Sequence, residues 1–129
     1  MKITALDHLV LTVKDIDAAC AFYERVLGME SVTFGAGRRA LRFGNQKINL
    51  HRAGKEFEPK ARAPTPGSGD LCFIAGEPLS EVERHLRASG VEIIEGPVAR
   101  TGAMGAITSL YLRDPDGNLL EIASYAVAR

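Results

Sequence analysis

The sequence predicts an α+β protein built from two tandem βαβββ modules, and a repeat within the chain carries that expectation. Strand-type and helix-type patterns run through the same order twice, and marker residues recur at a constant spacing. Glycine-rich breaks fall at matching places in both halves.

The first module opens with a β-rich run, Ala5 to Val13, in which apolar residues alternate with His8 and Thr12. Asp15 is placed to cap a helix whose apolar residues Ile16, Ala19, Cys20, Tyr23, Val26 and Leu27 recur at helical spacing, with Gly28 as its stop. Short β runs follow at Glu30–Phe34, Arg39–Phe43 and Lys47–Arg52, separated by Gly35, Gly37 and Gly44-Asn45. A stretch rich in proline, glycine and charge joins this module, residues 2–53, to the second, residues 69–125, through a loop over 54–68. In the second copy Leu71–Ala75 reads as a strand and Leu79–Ser89 as a helix with Gly90 as its stop. Val91–Glu95, Ile107–Arg113 and Leu119–Ser124 read as strands.

Gly28 recurs as Gly90, Glu30 as Glu92, and the place of His8 is taken by Asp70, all at an offset of 62 residues. The last strands align at 72, Ile48 with Leu120, so the second copy carries about ten extra residues. Gly96 to Gly105 is expected to be that insertion, a loop over a site.

At 129 residues the chain suits one domain, and its hydrophobic (46%) and charged (25%) shares are those of a globular protein. Sixteen basic residues balance sixteen acidic ones, so no global field recruits nucleic acid or an anionic membrane. No apolar run approaches a bilayer span, and no signal-peptide pattern precedes the first strand, so a cytoplasmic location is expected. Cys20 and Cys72 lack metal-pair spacing and are expected to be small core hydrophobes.

The chemically loaded residues sit in two runs, Asp7-His8-Leu9-Val10-Leu11-Thr12-Val13 near the start and Asp114-Pro115-Asp116-Gly117-Asn118-Leu119-Leu120-Glu121-Ile122 near the end. Imidazole and carboxylate on separate strands suit a divalent metal, because each strand can aim one donor into a shared cavity. A lone His in an apolar strand is also a common core residue, and Glu121, pointing away from the face of Leu120 and Ile122, could simply meet solvent. His51 falls on the same strand face as Asn49 and could bind metal, touch substrate or end the strand in water. Asp70 could ligate a hard cation or belong to the Gly67-Ser68-Gly69 turn. Arg38, Arg39, Arg42, Arg100 and Arg113 offer planar forks for carboxylate or phosphate, with a solvated sheet edge as the alternative. Arg100 is the preferred anion contact. The Asp114–Asn118 segment reads as a turn with no chemistry of its own.

Two βαβββ modules, with a His in the first strand and Gly-Asn-x-x-Glu in the last, resemble the vicinal oxygen chelate superfamily. Its members include glyoxalase I, methylmalonyl-CoA epimerase, extradiol dioxygenases and fosfomycin or bleomycin resistance proteins. Lys47-Ile48-Asn49-Leu50-His51, Glu56-Phe57-Glu58-Pro59-Lys60 and Gly96-Pro97-Val98-Ala99-Arg100-Thr101-Gly102 are similar to the glyoxalase domain-containing protein 5 group and its bacterial virulence-associated relatives. The resemblance implies a glyoxalase-like fold, with curved mixed sheets bearing a cleft. It also implies metal donors from the first and last strand of each module: His8, Asn49 or His51, Asp70 and Glu121.

The activity implied is that of a metal-dependent lyase or isomerase of lactoylglutathione lyase type, acting on a small α-oxygenated carbonyl compound such as a glutathione hemithioacetal of methylglyoxal. The metal would be Ni, Zn, Mn, Mg or Fe, and Glu121 would move the proton. Asn49, Arg38, Arg100, Arg113 and Tyr111 would contact substrate, and the chain would pair as a homodimer with no nucleic acid or membrane partner. Asn49 departs from true glyoxalase I, where a glutamate at this place shuttles a proton. An extradiol dioxygenase is the alternative enzyme: Tyr111 stands ten residues before Glu121 as a catalytic tyrosine would, but Arg100 to Leu110 supplies no histidine. Core packing is then the simpler role for Tyr111. A binding protein without turnover is the alternative outside enzymology, although the absence of Trp argues against stacking of large aromatic drugs.

Overall fold

The computed structural model describes residues 1–125 and divides into two compact units, Met1–Ser68 and the chain from Gly69 onward. Each unit is one βαβββ module. The first contains β1 (His8–Val13), α1 (Ile16–Leu27), β2 (Glu30–Phe34), β3 (Arg38–Phe43) and β4 (Gln46–Arg52). The second contains β5 (Asp70–Ile74), α2 (Leu79–Ala88), β6 (Glu95–Gly102), β7 (Gly105–Arg113) and β8 (Leu119–Tyr125). The two four-stranded sheets have equivalent orders, β1-β4-β3-β2 and β5-β8-β7-β6. In each the first strand runs parallel to the last while the other pairs are antiparallel, so both sheets are mixed.

Local chemistry explains the elements. Asp15 caps α1 by accepting a bond from the Ala18 N–H at 3.0 Å. Gly28 ends the helix at φ 67°, in the left-handed region, where its N–H and that of Met29 take up the free carbonyls of Glu24 and Tyr23. The buried face of α1, with Ala19, Cys20, Tyr23 and Val26, packs on the sheet that carries Leu11, Val13, Leu41, Ile48 and Leu50. In the second unit α2 packs on β7 and β8, with Leu86 buried and Leu110, Leu112, Leu120 and Ile122 forming the covered layer. Each such side chain taken fully out of water stabilises its unit by about 1.5–3 kcal/mol.

Strand periodicity then dictates the opposite face. With the core layer fixed, the intervening residues must point the other way: His8, Val10 and Thr12 beside Lys47, Asn49 and His51 in the first unit. In the second they are Asp70 and Cys72 beside Leu119 and Glu121.

Four expectations are corrected. The first strand begins at His8, not Ala5. Val91–Glu95 is not a strand, and Gly96–Gly105 is not a loop: Glu95–Gly102 is β6, paired antiparallel with β7. Part of the ten or so extra residues therefore lengthens a hairpin, whose strands have 8 and 9 residues where the first unit has 5 and 6, and the rest lies in the connection before β6 and the turn before β8. Proline and glycine mislead here because β6 is an edge strand, where a missing N–H costs nothing, and because the register shifts between Glu95 and Val98. Cys72 is not a core hydrophobe, since it lies exposed on the face opposite the core, whereas Cys20 is buried as expected.

The turn between β7 and β8 is a buried clamp. Asp114 and Asn118 are 6% and 1% exposed. The Asp114 carboxylate accepts from the backbone N–H groups of Asp116 and Asn118 and from the Asn118 side-chain amide at 2.7 Å. The Asn118 Oδ1 accepts from the Gly69 N–H at 2.7 Å, and the Leu119 N–H donates to the Gly69 carbonyl at 3.0 Å. One turn thereby fixes the start of β5 beside β8.

Two outcomes follow from this packing. Asn118→Ala leaves a buried carboxylate and the Gly69 N–H short of partners, and should cost about 2–4 kcal/mol in chemical denaturation. Retention of full stability would show the clamp to be dispensable. At Gly96, with φ 113°, an added Cβ would fall onto the Ser109 carbonyl. Gly96→Ala should therefore cost about 1–3 kcal/mol and loosen the β6–β7 pairing, read as lost amide-exchange protection; unchanged protection would refute the bulge as a requirement.

Candidate functional site

Both sheets present a polar face with a polar residue at the centre of the last strand. In the first unit it is Asn49, between Val10 on β1 and Ala40 on β3. In the second it is Glu121, between Cys72 on β5 and Tyr111 on β7. Asn49 and Glu121 thus hold equivalent places in the two modules, as do His8 and Asp70 at the first residue of β1 and β5.

Glu121 is half-buried and held by its neighbours. The Ser109 hydroxyl, on a fully buried residue, donates to Glu121 Oε2 at 2.5 Å. The Cys72 thiol also bonds the carboxylate. Partial burial, then the Glu121 charge and that hydrogen bond, push the Cys72 pKa up to about 11. At neutral pH this thiol is a donor rather than a nucleophile. Tyr111 lies directly across from Glu121 on the same face, so the core-packing role considered for it does not hold. Its hydroxyl receives the Arg100 Nε–H at 3.0 Å, and the guanidinium lies 5.4 Å from its ring centroid. Arg100 also bonds Glu95 at 3.2 Å and the Ala99 carbonyl at 3.0 Å, so it serves as a strut between β6 and β7 in this arrangement. Arg113 reaches the Gly117 carbonyl at 3.3 Å, at the exposed end of the β7–β8 hairpin. Asp70 lies exposed beside Leu119, its backbone position set by the clamp at Gly69.

The first unit's face differs in sign. His8 is part-exposed, and its Nδ1 meets Asp7 Oδ2 at 2.8 Å. A carboxylate on Nδ1 fixes the ring and leaves Nε2 as the outward nitrogen, the arrangement common among metal-bound histidines. His51, only 3% exposed, is inward and neutral. Burial first, and then the Arg38 charge, lower its pKa against the opposing pull of Glu56. Its Nε2 lies 3.4 Å from Arg38 Nη2, and since a guanidinium only donates, that nitrogen is the acceptor. The ring meets Phe57 edge-on at 5.5 Å. Asn49 is 5% exposed, and its Oδ1 is buried with no hydrogen-bond donor among the described residues.

The site residues thus group as Glu121, Tyr111 and Arg100 in one unit and Asn49, His51 and Arg38 in the other. Within neither unit do three His, Cys, Asp or Glu side chains of the described residues gather into a metal-ligating cluster. No helix among them is long and apolar enough to cross a membrane. Sequence reading missed Ser109, Cys72, Phe34, Phe57 and Lys47. Ser109 had a usable signal: a tight turn at Asp114–Asn118 pairs Arg113 with Leu119, which sets Ser109 diagonal to Glu121 on the same face. Cys72 had none while the strand's inward face was unknown.

Comparison with known proteins accords with this architecture. The chain is 58% identical over 125 residues to virulence protein STM3117 of Salmonella typhimurium, covering 97% of this chain and 87% of that protein. The crystal structure of that protein superposes with a TM-score of 0.97, covering 98% of this chain and 100% of the other. It is 54% identical over 129 residues to glyoxalase domain-containing protein RDO1 of Mycosarcoma maydis, covering 100% of this chain and 73% of that one. A more distant structure, lactoylglutathione lyase from Agrobacterium tumefaciens, shares 27% identity with a TM-score of 0.73 and 95% coverage of both chains. The family model described as Glyoxalase/Bleomycin resistance protein/Dioxygenase superfamily matches residues 5–122, and the chain belongs to that superfamily.

Proposed function

We propose that the protein is a metal-dependent lyase or isomerase of the glyoxalase type, in which Glu121 moves a proton between adjacent carbons of a small α-oxygenated carbonyl compound. The observation that carries this reading is the carboxylate of Glu121, presented on a sheet face and held through Oε2 by Ser109. A carboxylate fixed in this way keeps its second oxygen for a cation or a proton without a rotameric search. The similarity to a lactoylglutathione lyase supports the reaction class.

Glu121 and Asp70, diagonal neighbours on one face of the second unit, are oxygen donors of the kind a hard to borderline divalent ion takes, and the His8 Nε2 is a nitrogen donor suited to the same range of ions. When bound, such an ion polarises the substrate's oxygens as a Lewis acid. The chain's own residues do the rest. Glu121 accepts and returns the proton, and Ser109 and Cys72 stabilise its charged form by donating to it. His51, the further donor that the resemblance implies, turns its Nε2 to the Arg38 guanidinium in this arrangement and so serves here to hold Arg38 beside the site. Asn49, at the place equivalent to Glu121, can accept a hydrogen bond but cannot carry the proton, so one carboxylate serves both directions of transfer. Two free cysteines fit a reduced cytoplasmic setting, and pairing into a homodimer belongs to the same reading.

Elemental analysis and turnover on the glutathione hemithioacetal of methylglyoxal test this together. After reconstitution with Ni, Zn, Mn, Mg or Fe, about one ion per chain should remain, and His8→Ala should lower that content. Ser109→Ala should lower metal affinity or turnover roughly 10–100-fold while the protein stays folded. A chain that takes up no metal, or turnover indifferent to Ser109, would contradict the proposal.

A further inference from the structure

The polar face of the first unit holds two cations that its own carboxylates leave unneutralised. Arg38 lies 5.2 Å from the Phe34 ring centroid and 4.7 Å from that of Phe57. Lys47 places its Nζ 3.8 Å from the same Phe34 ring. Two like charges therefore gather around one aromatic side chain, each favoured by the ring and disfavoured by the other. The nearby acids are engaged elsewhere. Glu56 accepts from the Gly54 N–H at 2.8 Å and pairs with Lys60 at 3.6 Å, while Glu30 pairs with Arg42 at 2.8 Å and Asp7 with His8. Among the described residues no carboxylate forms an ion pair with Arg38 or Lys47.

Arg38 is also pre-aimed. Phe34, Phe57 and the His51 Nε2 fix its plane while occupying only one corner of the fork, so the remaining N–H groups can meet a two-oxygen acceptor. Beside this fork, between Lys47 and His51 on β4, stands the buried side-chain oxygen Oδ1 of Asn49, which has no donor among the described residues. A buried acceptor left unpaired is costly to folding, so its retention calls for a partner that arrives from outside the unit. The residues flanking Asn49 across the sheet are Val10 and Ala40, neither of which carries a polar side chain that could donate to it.

We propose that this face binds a small carboxylic acid bearing a hydroxyl on the neighbouring carbon. The carboxylate lies on Arg38 and Lys47, and the hydroxyl donates to Asn49 Oδ1. Arg38 and Asn49 are diagonal neighbours on the same sheet face, close enough for one small two- or three-carbon hydroxy acid to meet both side chains. As a substrate class this rests on the lyase or isomerase reading above; as a binding site it stands without it.

Titration calorimetry on metal-free protein at constant ionic strength, with glycolate, acetate and ethylene glycol as probes, separates the two halves of the site. Glycolate should bind about fivefold tighter than acetate, the worth of one added hydrogen bond, and ethylene glycol should not bind measurably. Arg38→Leu should abolish binding of both acids, and Arg38→Lys should weaken it by removing the fork. Asn49→Leu should reduce glycolate to the level of acetate, with a melting temperature no lower than that of the wild type. Equal affinity for glycolate and acetate, binding that survives Arg38→Leu, or a marked fall in melting temperature with Asn49→Leu would each overturn the proposal. Because no metal is present, failure of metal uptake would leave this result standing, and failure here would leave the metal chemistry untouched.

Discussion

The structure of the second unit depends on the buried hydrogen-bond clamp that Asp114 and Asn118 form in the turn before β8. Its first effect is to close the β7–β8 hairpin in one register, Arg113 opposite Leu119. A slip by one residue would move Leu120 and Ile122 out of the core and carry Glu121 into it. Its second effect is to tie Gly69 to Asn118 and Leu119, which aligns β5 in parallel beside β8. Parallel pairing has no hairpin to set its register, so a side chain performs that task. The alignment that puts Cys72, Glu121 and Tyr111 in one row follows from these bonds together with the hydrophobic face that α2 covers.

The two modules share topology but have diverged in chemistry. At the centre of the last strand one carries a carboxylate supplied with donors, and the other an amide whose oxygen has none among the described residues. The carboxylate's neighbours, Ser109 and Cys72, are neutral donors suited to an anion. The amide's neighbours are a neutral imidazole and two cations on aromatic rings. One sheet face is thus suited to holding a cation or a proton, and the other to holding an anion. This is the division of labour expected when a repeat keeps its scaffold and changes its site residues.

Much of the fold was legible because it rests on periodicity and punctuation. Asp15, Gly28 and the apolar spacing of α1 announce that helix, and the constant offset from Gly28 to Gly90 announces the repeat. The β6 strand was not legible, because an edge position and a bulge tolerate residues that otherwise mark loops. Glu121 could be singled out from its alternation with Leu120 and Ile122, and Asn49 and Arg38 from the repeat and from their chemistry. The partners of these residues could not be. The Ser109 bond, the Arg38–His51 contact and the seat of Arg38 against Phe57 depend on cross-strand register and on the path of the loop after β4. Arg100 shows the converse: its chemistry suggested a free anion contact, and its strand position ties it to Tyr111 and Glu95.

Anomalous diffraction from crystals soaked in manganese tests the central claim, that Glu121 is the metal-facing carboxylate, most directly. The account predicts a peak about 2.0–2.2 Å from one Glu121 oxygen, with Ser109 still bonded to the other, and loss of that peak in Glu121→Gln. A peak away from Glu121, or one that persists in Glu121→Gln, would contradict it.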